Sequence, residues 1–163
     1  MELTADLPAE LVPLAWLIGR WEGAGVVGYP TIESVNFGQE LELQHDGRPF
    51  LSYRSQSWLL DDAGSPVRPL ASETGYWFPR GDGQLEVVLT SSYGVAEIHV
   101  GTVEGPRVNL HTDLVARSPH APEYTAATRM YGLVEGDLMW VLDMAAVGQP
   151  MQSHASAQLK RVG

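Results

Sequence analysis

The segment Gly19-Arg20-Trp21-Glu22-Gly23-Ala24-Gly25 follows directly on the apolar stretch 11–18 and constrains the fold more than any other part of the chain. In an extended strand, residues two apart project to one face, so Gly19, Trp21, Gly23 and Gly25 share a side. Glycine on a strand face marks a place where another backbone or a ligand comes close. One indole among absent side chains then acts as a plug. Such a first strand suits a small barrel that encloses a ligand; a glycine-rich strand with a single core tryptophan fits the spacing equally well.

The rest of the chain supports the barrel. Leu41 and Leu43 alternate with Glu40, Glu42 and Gln44, and Leu85, Val87 and Leu89 alternate with Glu86. Ala96, Ile98 and Val100 alternate with Glu97 and His99, and Val108, Leu110, Thr112 and Leu114 with Asn109, His111 and Asp113. Leu138, Trp140, Leu142 and Met144 share a face opposite Asp143. This is the pattern of antiparallel sheet with one face buried. It places Ala96, Ile98, Val100 and Leu114 inside, and His99 and His111 toward solvent. Turn residues separate the runs at Asp46-Gly47, 61–64, Gly81-Asp82-Gly83, Glu104-Gly105-Pro106 and Glu135-Gly136-Asp137. About ten strands in sequential hairpins result, and so long a meander loses its edges best by closing. The expected fold is therefore an all-β, up-and-down, calycin-like barrel, a single domain over residues 1–163. One short helical segment precedes it, with Leu11, Leu14, Ala15 and Ile18 at helical spacing, Asp6 as its N-cap and Pro13 limiting its length.

Charge and composition exclude several functions. Twenty acidic residues against ten basic ones give a formal charge of −10, and Lys160 is the single lysine. Nucleic acid and anionic membrane surfaces need clustered cations and are not expected as partners. No cysteine is present, which removes disulfides and thiolate-held metals. The opening MELTADLPAE has neither a basic nor an apolar region of a secretory signal, so the expected location is the cytoplasm. No serine elbow or zinc-helix motif occurs, and the acids are spread along solvent faces. Any catalysis would then belong to a cofactor.

With no thiol, a metal would depend on five histidines. His45 and His120 sit beside turns, and strand parity sends His99 and His111 outward. His154 follows the turn-forming Gly148-Gln149-Pro150 and precedes the small residues Ala155, Ser156 and Ala157, which leave room for a flat ligand. It reads either as an ordinary histidine at the start of a strand or as a ligand. Ala155, Ala157 and Leu159 form the apolar face of that strand, which puts His154 opposite. Either a bulge near Ser153 re-aims it, or its ligand lies at a cleft off the barrel axis. Met144 reads as pocket wall or as gap-filling core, Thr31 as a turn hydroxyl, and Arg129 as a solvated strand charge.

Several blocks together carry a resemblance. Gly-x-Trp-x-Gly-x-Gly followed by Tyr29-Pro30-Thr31-Ile32 resembles the opening signature of the nitrobindins, haem-binding all-β barrels. The blocks 47–53 and 72–76 are similar to the family's second and third. Residues 145–154, AAVGQPMQSH, resemble the C-terminal block with the haem-ligating histidine. The matching blocks run from about residue 19 to 159. The resemblance implies one ferric haem b per subunit, with His154 as its axial ligand and the residue on which catalysis depends. It also implies Thr31 against the haem and Arg129 as a cofactor contact; Met144, on the face shared with Trp140 and Leu142, is the further cofactor-contact candidate. Where the family often carries basic residues before that arginine, this chain has Glu123-Tyr124-Thr125-Ala126, which leaves the propionate contacts unassigned. The implied activity is binding of nitric oxide and isomerisation of peroxynitrite to nitrate, with a homodimer left open. Gly-x-Trp in a first strand also resembles lipocalins and fatty-acid-binding proteins. A non-catalytic carrier of a small hydrophobic molecule is the alternative, and an interaction module without a ligand is the third reading.

Overall fold

The computed structural model describes residues 6–163. Its strands are β1 (Gly19–Tyr29), β2 (Ile32–Gln44), β3 (Leu51–Leu60), β4 (Pro66–Gly81), β5 (Gln84–Ser91), β6 (Val95–Val103), β7 (Arg107–Arg117), β8 (Tyr124–Val134), β9 (Asp137–Ala146) and β10 (Gln152–Arg161). Each pairs with its neighbours in the chain, and β10 returns to β1, so all ten form one closed antiparallel barrel. The expected meander and its closure are both present.

Closure depends on the glycines of β1. The seam pairs Trp21 with Arg161 and continues to Val27 opposite Ala155. A Cβ on Gly23 would collide with the carbonyl of Gln158, and one on Gly25 with the carbonyl of Ser156 and the ring of Phe37. The close approach foreseen for this face is therefore that of the β10 backbone.

One end of the barrel is sealed. The segment Ala9–Leu17 is a 3₁₀ helix that turns Leu11, Leu14 and Leu17 fully inward. Its N-cap is Pro8, not Asp6: the first N–H, that of Leu11, donates to the Pro8 carbonyl at 3.0 Å, and no side chain caps the segment. Trp21 is completely buried and its indole N–H donates to the Leu17 carbonyl at 3.0 Å. The Arg161 guanidinium lies 4.2 Å from the centroid of that ring and donates to the carbonyls of Trp16 and Ile18. Above them Leu43, Leu51, Trp77, Leu85, Val87, Leu138 and Leu159 complete an apolar core.

Strands β6 and β7 depart from the expected assignment. In β6 the inward residues are Val95, Glu97 and His99, with His99 wholly buried. Ala96, Ile98 and Val100 occupy the outer surface, the reverse of the expected assignment. The interior at this level holds Arg129 and Tyr124, which partner the Glu97 carboxylate, and Glu97 in turn partners His99 Nε2. In β7 the pairing slips: Ile98 opposes Leu114 while His99 opposes Thr112, and Asp113 is passed over. This bulge turns Leu114 outward to 55% exposure, whereas Val108 and Leu110 stay buried and His111 faces solvent as expected.

Candidate functional site

The hairpins β1–β2, β3–β4, β5–β6, β7–β8 and β9–β10 ring the opposite end, which is open. A cavity of about 410 Å³ descends from it into the barrel, within the range of cofactor and ligand sites. Val27, Phe37, Leu70, Leu142, Met144 and Ala155 supply apolar wall. His154, Thr31, Met144 and Arg129 all line this one space, carried by β10, the β1–β2 turn, β9 and β8.

His154 reaches the cavity through a bulge. In the β9–β10 ladder Ser153 opposes Asp143 and Ala155 opposes Leu142, so His154 has no partner. An unpaired residue escapes strand parity, which lets His154 and Ala155 both line the same wall. Of the two alternatives left open by the sequence, the bulge is the one observed. The Nδ1–H of His154 donates to the Gly28 carbonyl at 3.0 Å, and the Tyr29 ring packs edge-on at 5.6 Å. Tyr29 is itself fixed, its hydroxyl donating to the Met144 carbonyl at 2.9 Å and accepting from the Ala146 N–H at 3.1 Å. With Nδ1 engaged, Nε2 carries the lone pair. Burial is the main cause that holds this imidazole below its ordinary pKa of 6.5, outweighing the Gly28 hydrogen bond. A neutral ring whose second nitrogen is held by a backbone carbonyl is the form in which histidine ligates a metal.

Below this wall the cavity has a polar floor. Arg129 is buried, not solvated: its two terminal nitrogens grip Glu73 at 2.9 and 2.7 Å, and one lies 3.5 Å from Glu97. Tyr53 donates to Glu73 at 2.8 Å, Tyr124 donates to Glu97 at 2.5 Å, and His99 Nε2 lies 3.3 Å from the same Glu97 oxygen. Burial alone would raise both carboxyls, but the Arg129 charge with the hydrogen bonds to Glu73, and the His99 and Tyr124 hydrogen bonds with that charge at Glu97, hold them below the ordinary value. Tyr53 and Tyr131 rest their rings on Trp77 of the sealed core, with centroids 5.9 and 5.1 Å away. Alongside, the Trp140 indole donates to Gln39, which donates to Ser55, each at 2.8 Å.

Sequence reasoning missed this floor. One signal was present: Arg129 lies at the parity of Ala127 and Tyr131, whose small and aromatic side chains mark an inward face. Glu97 and His99, two apart, carried the complementary signal on β6.

A closed antiparallel barrel with one sealed end, one open end and a histidine-lined internal cavity is a calycin-like ligand-binding barrel. This chain belongs to the family of THAP4-like, heme-binding beta-barrel domains, whose family model matches residues 10–161. It is 51% identical to the ferric nitrobindin-like protein of Kineococcus radiotolerans, over 99% of this chain and 98% of that one. The peroxynitrite isomerase of Nocardioides sp. is 47% identical over 98% of both chains. The crystal structure of Rv2717c from M. tuberculosis matches with a TM-score of 0.87 at 38% identity, covering 97% of this chain and all of that one.

The family's cofactor is haem, and the cavity suits it. Its apolar walls, the small Ala155 beside His154, and one neutral imidazole with a pre-set tautomer form a donor set appropriate to haem iron. Arg129 differs from the expected cofactor contact. Its terminal nitrogens engage Glu73, and its Nε is buried without a partner. The floor therefore contains this charge instead of presenting it to a ligand.

Proposed function

We propose that this chain holds a ferric haem b through His154 Nε2 and isomerises peroxynitrite to nitrate on the open face. The relatives named for that activity at full length support the reading over a non-catalytic carrier. The observation that carries it is the β10 bulge, which aims a neutral, backbone-anchored imidazole into an otherwise apolar wall.

When bound, ferric haem supplies a Lewis-acid position for an oxyanion. The chain's own residues do the rest. Gly28 and Tyr29 hold the His154 ring in one orientation, so its lone pair needs no rearrangement before ligation. Val27, Phe37, Leu142 and Met144 line the space with apolar surface, which would limit water around a bound substrate. Thr31, at the tip of the β1–β2 hairpin, places a hydroxyl on the rim. Nitric oxide, small and uncharged, is proposed to take the same position.

The test is peroxynitrite decay followed by stopped-flow, with nitrate yield and nitration of free tyrosine as product readouts. The haem-loaded protein should shift products toward nitrate and suppress nitration beyond free haem at equal concentration. Equality with free haem would reduce the protein to a haem binder.

A further inference from the structure

Five of the six tyrosines, Tyr29, Tyr53, Tyr93, Tyr124 and Tyr131, line the cavity, and only Tyr76 stands on the outer wall. Their hydroxyls differ in what they touch. Tyr29 and Tyr93 donate to backbone carbonyls, at 2.9 and 3.3 Å, which are poor proton acceptors. Tyr131 accepts from the Arg129 guanidinium at 3.4 Å and meets no carboxylate. Tyr53 donates to Glu73, but both oxygens of that carboxylate already bind Arg129. Tyr124 alone donates to a carboxylate that no guanidinium grips closely: the Glu97 oxygen 2.5 Å away has His99 Nε2 as its other neighbour, at 3.3 Å, and the nearest Arg129 nitrogen lies 3.5 Å from the second oxygen. Its ring is half-buried and lines the cavity near the mouth, where a small radical can reach it.

We propose that Tyr124, with Glu97 as its proton acceptor, is an internal scavenger of nitrogen dioxide that escapes recombination, and is the tyrosine that becomes nitrated. The proposal rests on the reading of the cavity as a peroxynitrite-processing site. Nitrogen dioxide, formed together with hydroxyl radical when the O–O bond of peroxynitrous acid breaks homolytically, is the oxidant. One molecule takes an electron from the phenol and leaves as nitrite, while the phenolic proton passes along the short hydrogen bond to Glu97. A second molecule adds to the ring carbon ortho to the oxygen. The hydrogen on that carbon then moves to the oxygen, restoring a phenol that carries a nitro group. Coupling electron loss to a proton acceptor already in contact avoids forming a free radical cation, as positioned bases do generally. The same geometry disfavours simple ionisation, because burial and the adjacent Glu97 charge push the Tyr124 phenol well above its ordinary value.

The experiment treats haem-loaded protein with sub-stoichiometric peroxynitrite and measures nitration at each tyrosine by peptide mass spectrometry. Tyr124 should carry the larger share, although Tyr93 and Tyr76 are the more exposed, at 51% and 48%. Glu97→Gln should remove most of the Tyr124 nitration and leave Tyr76 unchanged. Tyr124→Phe, which keeps the ring, should lower total nitration per protein without raising that of Tyr76. Nitration that follows exposure, or a Tyr124 yield indifferent to Glu97→Gln in folded protein, overturns the proposal. Haem-free protein given nitrogen dioxide directly separates the two readings. If Tyr124 keeps its Glu97-dependent preference there while loaded protein fails to isomerise peroxynitrite, the functional reading falls and the tyrosine–glutamate pair stands.

Discussion

The two ends of this barrel are made from the same ten strands and obey different rules. At the sealed end, β1 presents Trp21, β4 presents Trp77 and β10 presents Leu159, all essentially without exposure. At the open end the same strands present Tyr29, Glu73 and His154. The sealed end is held by close packing of apolar side chains, where stability grows with area removed from water. The open end keeps its shape with ion pairs, phenol–carboxylate hydrogen bonds and a bulge, and it leaves a space unfilled. The apolar half supplies the stability that allows a hollow, polar half to exist.

The largest expected effect is therefore at the sealed end. Trp21→Ala removes a fully buried indole with its hydrogen bond to Leu17 and should cost about 3–5 kcal/mol in urea denaturation. A near-wild-type midpoint would show that the plug does not carry the stability assigned to it.

The floor sets a somewhat smaller effect. Arg129→Met leaves Glu73 and Glu97 without their shared cation, and the cost should be about 3 kcal/mol at neutral pH, the low end for a broken buried pair because Glu73 keeps Tyr53 and is 22% exposed. The sign with pH follows from the carboxyls. In the wild type both lie below their ordinary 4.5, so their contribution is complete above that value and is lost as pH falls through the folded values. Without Arg129 they are easier to protonate, so the gap between the two proteins should narrow in acid. A gap that widens as pH falls would contradict the cluster described here.

The outer surface offers the smallest effect, read against a buried neighbour: Leu110→Ala, at a 3% exposed core position, should cost about 2–5 kcal/mol. Leu114→Ala, four residues along the same strand, should stay within about 0.5 kcal/mol, because the bulge has put it in solvent. Equal costs would place both side chains inside and remove the bulge.

Those two leucines also show how much the sequence revealed. The glycine–tryptophan face of β1 and the alternation in β5 and β9 were legible, because a regular strand fixes every side chain once one is fixed. The bulges at Asp113 and His154 were not. A bulge adds a single residue and leaves no compositional mark, yet it reverses every assignment beyond it. For His154 the parity conflict itself pointed to a bulge as one of two solutions. Glu97, His99 and Arg129 were misplaced for a different reason: a polar residue on an interior face looks the same in sequence as one facing water until its partner is known. The partners come from β4, β6 and β8, which no local pattern connects.

The central proposal is that the β10 bulge aims His154 at the iron of a haem it would ligate, and the direct measurement is a haem titration followed at the Soret band. Wild-type protein should saturate at one haem per chain. His154→Ala should stay folded, since its side chain belongs to the cavity wall and not to the core, and should lose most of its affinity. Added imidazole should restore binding by filling the emptied position. A His154→Ala variant with an unchanged Soret band and undiminished affinity would contradict the account.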